Sequence, residues 1–304
     1  VKDNDIDFLL SVGGGSVLDA TKFIAAASCY DGENAWALMS NWDQVTDALP
    51  LGCVLTLPAT GSESNPNTVI SRKETGEKLA LINTHLFPQF SILDPETTLT
   101  LPVRQVANGV VDAFVHVMEQ YMTYPVNAPL QDRYSESILS TLVEVGPKAL
   151  QNPQDYDTRA TIMWAATLAL NLLNGSGVPQ DWQTHSIGHE LTALHGIDHA
   201  RTLSIILPAV LKHQRDAKIG KLIQYGARVW GIRENDKNKA ADLAIEKTVN
   251  FFKQMGVPTC LSDVELTPDD VSKAVDALAA RGVQLGEHGN VGPKEIAEIL
   301  QLAA

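Results

Sequence analysis

The spacing of apolar residues changes once along this chain, near Pro102, and that change restricts the fold more than any single motif. Before it, short apolar runs are bounded by Gly, Pro or Asp-Pro: Phe8-Leu9-Leu10-Ser11-Val12, Leu51-Gly52-Cys53-Val54-Leu55 and Phe90-Ser91-Ile92-Leu93. Such runs suit strands buried in a sheet covered on both faces. The first stops at Gly13-Gly14-Gly15-Ser16, after which Val17 to Ala27 has helical spacing, so it reads as strand, glycine turn, helix. After Pro102 the apolar residues fall at helical spacing over 103–123, 131–150, 157–173, 216–230 and 237–255, with strand-like runs nearly absent. Thr100-Leu101-Pro102 supplies a cap and a first-turn proline. The spacing therefore predicts an α/β domain over residues 1–100 and an all-helical domain over 101–304.

The 304 residues are enough for two domains sharing an interface, and 44% hydrophobic with 19% charged residues is the balance of a folded globular chain. A net charge of -13 with no basic run makes binding to a phosphate backbone unfavourable, which argues against nucleic acid as a partner. Cys29, Cys53 and Cys260 show neither zinc-finger nor C-x-x-C spacing, which fits a reducing cytoplasm. No apolar run reaches the roughly 18 residues of a spanning helix, so no membrane is expected. Asn174-Gly175-Ser176 matches a glycosylation acceptor and reads as a loop, because no secretion signal precedes it. The chain starts at Val1 and is in an apolar strand within a few residues, which reads as a chain that has lost its beginning.

Four of the eight histidines, His185, His189, His195 and His199, lie in one short segment. His185 and His189 would share a helix face, while Gly196 would end that helix and let His199 return from a loop. A second pair four apart, Asp112 and His116, sits among Val and Phe. Burying both is costly unless they are paired or bind a cation, and imidazoles with one carboxylate suit zinc or ferrous iron. A structural ion pair or solvated face accounts for an isolated Asp/His pair more readily than a metal does; the histidine cluster brings the two readings level, and spacing alone leaves open which histidines are ligands. His85, His213 and His288 read as surface residues.

Three glycines after a strand let backbone approach a pyrophosphate at a helix N-terminus, although the run lacks the G-x-G-x-x-G spacing and an ordinary tight turn explains it as well. Asp19 and Lys22 in the following helix read most simply as solvated. The loop Leu57-Pro58-Ala59-Thr60-Gly61-Ser62-Glu63-Ser64-Asn65 follows a strand where open α/β sheets bind ligands. Two such loops side by side would form one anion-binding edge.

Together GGGSVLDATK at 13–22, LPATGSES at 57–64, NGVVDAFVHVMEQY at 108–121 and HSIGHELTALHGIDHA at 185–200 resemble the iron-containing alcohol dehydrogenase family. Within it they are most similar to the NADPH-dependent aldehyde reductase branch, related to butanol dehydrogenases. The resemblance implies a Rossmann-like cofactor domain, incomplete here, followed by a helical metal-binding domain in a dehydroquinate synthase-like architecture, with the active site between them. It implies Asp112, His116, His185 and His199 as ligands of one divalent metal, Fe2+ or Zn2+, with His189 as a proton-handling neighbour and His195 a bystander. For the cofactor it implies Gly14, Gly15 and Ser16 at the diphosphate with Asp19 just beyond. Thr56, Thr60 and Asn65 would line the pyrophosphate and nicotinamide, and Lys78 would lie near the nicotinamide ribose. The family's usual double-threonine loop is altered here to LPATGSE.

The implied activity is interconversion of short-chain alcohols and aldehydes by hydride transfer with a nicotinamide, NADP(H) favoured and NAD(H) possible, in a cytoplasmic homodimer. Family members carry a further α/β segment before this point, so a chain without it would expose apolar sheet edges. A dehydroquinate synthase-like lyase on the same architecture and an inactive, truncated metal-binding remnant are the competing readings. Trp182 and Phe114 read as core packing.

Overall fold

The computed structural model describes all of residues 1–304. Three strands, β1 (Leu9–Gly14), β2 (Leu51–Leu57) and β5 (Phe90–Ile92), form a parallel sheet in the order β1-β2-β5. Helix α1 (Gly15–Cys29) follows β1 directly. Gly13 and Gly14 therefore belong to the strand, and the helix starts two residues earlier than its apolar spacing suggests. Leu10 pairs with Gly52 and Gly52 with Phe90, while Val12, Val54 and Ile92 form the next row. This face is open: Leu10 is 56% exposed, Val12 58%, Phe90 46% and Ile92 49%. The exposure anticipated at the sheet edge thus extends over a face.

Strands β3 (Asn67–Arg72) and β4 (Glu77–Ile82) make an antiparallel hairpin that packs on α1. The sequence reading misses it, because its alternation is diluted by Asn67, Ser71, Glu77 and Lys78. Its turn does carry a signal, Gly76 at φ +66°, a conformation that side chains resist.

From residue 103 onward there are helices and no strand: α2 (Val103–Tyr121), α3 (Pro129–Gln151), α4 (Tyr156–Ala169), α5 (Gln183–His195), α6 (His199–His213), α7 (Ile219–Val229), α8 (Lys237–Gln254), α9 (Pro268–Ala280) and α10 (Pro293–Leu302). Helix α2 is the axis, buried on all sides from Val106 to Tyr121 and packed against α3, α4 and α6. Phe114 is core, as read, with ring centroids 5.3 and 5.6 Å from Phe251 and Phe252 of α8. A second core joins α5, α6, α9 and α10 through residues such as Ile187, Leu191, Ile206 and Ile299. The last two helices escaped the periodicity, yet Thr267-Pro268-Asp269-Asp270 is a capping box and Gly292-Pro293 a second start signal. Gly196 ends α5 in the left-handed conformation, as its residue type predicts. His199 is not on a loop: it is the first residue of α6.

Candidate metal centre and cofactor cleft

A helix buried all round has no solvated face for its polar residues, so those of α2 must find partners inside. Asn108, Asp112, His116 and Gln120, four apart, run down one stripe, and Glu119 adjoins it. At its middle, Asp112 Oδ1 lies 3.8 Å from His116 Nε2, 3.9 Å from His185 Nε2 and 3.8 Å from His199 Nε2. These separations are too long for hydrogen bonds, and neither Asp112 Oδ1 nor His185 Nε2 has any partner. Asp112, His185 and His199 offer atoms within 4.8 Å of one another. His116 joins through Asp112 and stacks on His185 with ring centroids 4.6 Å apart. Buried acceptors facing each other without donors are what a cation satisfies, so the residues present fit a divalent metal. Burial pushes His116 and His185 down to about 4, which keeps both imidazoles neutral and able to coordinate.

Around these four, further groups hold His185 and the start of α6. Glu119 takes the His185 ring Nδ1 on one carboxyl oxygen and the His185 backbone N–H, at 3.1 Å, on the other. Burial pushes the Glu119 carboxyl up, and that backbone N–H pulls it back. Asp198, at the start of α6, is tied to α2 by Arg104 Nε at 2.8 Å and Asn108 Nδ2 at 3.0 Å, which fixes the approach of His199. The sequence reading missed Glu119, although its place seven residues after Asp112 on one helix was a usable signal. His189 packs on His199 with centroids 4.7 Å apart and lies 5.9 Å from the His185 ring. Trp182 is not core packing: its ring stands 5.3 Å from that of His185 and 6.2 Å from that of His116. His85 and His288 are exposed as read, whereas His213 is partly buried and paired with Glu298 at 3.1 Å.

The cofactor side is built on glycines at close approaches. A Cβ on Gly14 would stand 2.9 Å from Leu57 Cβ, and one on Gly15 would stand 2.6 Å from Thr60 Oγ1, so the two loops touch. Ser16 is exposed in the first turn of α1, where backbone N–H groups lack helical partners. Thr56 and Thr60 are partly accessible. Asn65 is fully buried and its side chain is spent internally on Thr60 O, Leu170 O and the Asn67 N–H.

Asp19 and Lys22 are not solvated. Lys22 is 0% exposed and donates to Ser62 O, Ser62 Oγ, Asn65 O and Asn67 O at 2.6 to 2.8 Å. Asp19 accepts from Ser62 Oγ at 2.6 Å and from the Val69 N–H at 3.0 Å. Both oxygens of Asp19 thus hold the loop and hairpin rather than reaching into the cleft. Lys78 of β4 is brought near Asp112, and burial lowers its ammonium to about 8. The metal-bearing helix itself touches the cofactor loop, for a Cβ on Gly109 would overlap the Pro58 carbonyl oxygen.

Comparison with known proteins gives this fold a family. Residues 1–95 match the model described as iron-containing alcohol dehydrogenase, and residues 106–304 match that of the Fe-containing alcohol dehydrogenase family, C-terminal. The chain belongs to the iron-containing alcohol dehydrogenase family. It is 56% identical over 294 residues to the NADPH-dependent aldehyde reductase YqhD of Escherichia coli K12, covering 96% of this chain and 76% of that protein. It is 37% identical over 306 residues to NADH-dependent butanol dehydrogenase B of Clostridium acetobutylicum, covering 99% and 77%. The crystal structure of E. coli K-12 YqhD superposes with a TM-score of 0.98 at 54% identity over 100% of this chain and 79% of that one. As an iron-containing alcohol dehydrogenase, the chain is an oxidoreductase with a Rossmann-like sheet followed by a helical body. The lyase reading weighed from the sequence gives way to it. No helix is long and apolar enough to cross a membrane.

Proposed function

We propose that Asp112, His116, His185 and His199 hold one divalent ion and that the chain interconverts small alcohols and aldehydes with a nicotinamide. The observation that carries this reading is the convergence of three imidazole Nε2 atoms, at 3.8 to 3.9 Å, on one carboxylate oxygen that has no other partner. When bound, the ion supplies Lewis acidity at the substrate oxygen and the nicotinamide supplies or takes the hydride. Iron and zinc both suit three imidazoles and a carboxylate. The chain's own part is positional and electrostatic. Gly14, Gly15 and Ser16 offer backbone N–H groups to a diphosphate, with Thr56 and Thr60 alongside. Asp19 and Asn65 act from behind by shaping the loop. Lys78 places a cation between the cofactor loops and Asp112, suited to a ribose hydroxyl or other oxygen. His189, against His199 and only partly buried, is placed to hold or pass a proton at a ring nitrogen.

On this reading residues 1–100 and 101–304 act as two domains closing on the cofactor. NADP(H) is the favoured cofactor, since the 56% identical relative is named NADPH-dependent; NAD(H) is the alternative, as in the butanol dehydrogenases. A cytoplasmic homodimer belongs to the same proposal, its cytoplasmic part supported by three free cysteines. Elemental analysis and turnover of His199→Ala test the centre: loss of metal and of butanal-dependent NADPH oxidation is expected, and full retention of both would sink the assignment. If the native chain holds metal but consumes neither NADPH nor NADH, the remnant reading replaces the catalytic one.

A further inference from the structure

Of the imidazoles converging on Asp112, only His185 has its ring held from behind by a carboxylate. His185 Nδ1 rests on Glu119, whereas His116 Nδ1 and His199 Nδ1 have no side-chain partner. Glu119 is 3% exposed and belongs to α2, the helix that also carries Asp112 and His116. Its other carboxyl oxygen accepts the His185 backbone N–H, in the first turn of α5. Trp182, at the N-cap position of that turn, supplies no side-chain cap. The carboxylate of one helix therefore caps the next and grips a ring in its first turn.

We infer that Glu119 is a positioning residue: it accepts the Nδ1–H of His185 and so presents the Nε2 lone pair toward Asp112 as a metal ligand. An imidazole has one N–H and one lone pair, so fixing the hydrogen at Nδ1 leaves Nε2 free to coordinate. A carboxylate in that place also makes the ring a stronger donor to a cation. The capping bond adds direction, because it ties the ring's own backbone to the same carboxylate and leaves the ring little freedom to turn away. The inference rests on the quartet reading.

Glu119→Gln separates positioning from capping. Its amide oxygen can still accept the backbone N–H, but its NH2 then faces Nδ1 and cannot accept a hydrogen from it. On the full chain stripped of metal, titration with Zn2+ against a chelating indicator is expected to show affinity about 10–100-fold weaker in Glu119→Gln, with the native circular dichroism spectrum retained. In the zinc-loaded native chain labelled with 15N-histidine, long-range NMR correlations are expected to place the His185 proton on Nδ1. A folded Glu119→Gln chain that binds Zn2+ as tightly as the native one, or a native His185 with its proton elsewhere, overturns the inference. If Glu119→Gln does not fold, the native spectrum decides. His185→Ala is measured in parallel: unchanged zinc affinity there overturns the quartet, and this inference with it. Loss in His185→Ala without loss in Glu119→Gln removes Glu119 alone.

Discussion

Proton competition decides whether an imidazole can hold a cation, and here burial has moved that competition. With His116 and His185 held at about 4, metal affinity is expected to stay level as pH falls through the ordinary imidazole range near 6.5, and to drop only on approach to about 4. Equilibrium dialysis with metal analysis over that range measures it. The metal-free chain shows the linked effect on stability. Between about 4 and 6.5 the unfolded imidazoles take up protons that the folded ones refuse, so stability rises with pH across this window and is lost as pH falls through it. Thermal melts of the stripped protein should show that slope, and a flat profile would speak against neutral buried imidazoles. Asp112 and His116 were legible because both partners lie on one helix turn. Which imidazoles complete the set was not legible from spacing, since that depends on how α5 and α6 dock. Asp19 and Lys22 were misread for a related reason: the groups that bury them lie some forty to fifty residues away along the chain.

At the scale of elements, the side chain of Lys22 ties α1 to the loop and hairpin that follow β2. Lys22→Met keeps the stem and removes the ammonium, leaving Ser62 Oγ and the carbonyls of Ser62, Asn65 and Asn67 without that donor, and Asp19 without its neighbouring positive charge, in a dry interior. Destabilisation of about 3–5 kcal/mol is expected, the range for stranding one half of a buried pair, and denaturant unfolding measures it. Because the clamped loop carries Thr60, the cofactor KM should rise as well, while bound metal stays at the native level. Long helices with a single apolar period were read to within a few residues, except α6, whose start was taken for a loop. The hairpin was not read, because half its residues are polar, and α9 and α10 were missed although caps mark their starts. Strand β1 was read as ending before Gly13 and Gly14, where extended backbone and tight turn look alike in sequence.

Across the whole molecule, the parallel sheet keeps one face apolar and open. A bare face of this kind favours association. Replacing Leu10 and Val12 by Thr, which keeps strand preference, should lower the self-association of the 304-residue chain in light scattering without altering its metal content. The two-part layout was legible in outline from the change of apolar spacing near Pro102, whereas the meeting of the parts was not, for it turns on a residue with no side chain. Gly109 lies one turn before Asp112 and against the Pro58 carbonyl. Adding a methyl group there forces the helix and the loop apart by a distance on the order of 1 Å, which in a bimolecular alignment is enough to lose about 100-fold in rate. Each half remains as it was, since all four proposed metal ligands lie on the helical side and the proposed diphosphate loop on the other. Gly109→Ala should therefore titrate like the native protein with metal and with cofactor, and fail only at turnover. A variant that is fully loaded and nearly idle would separate occupancy from alignment.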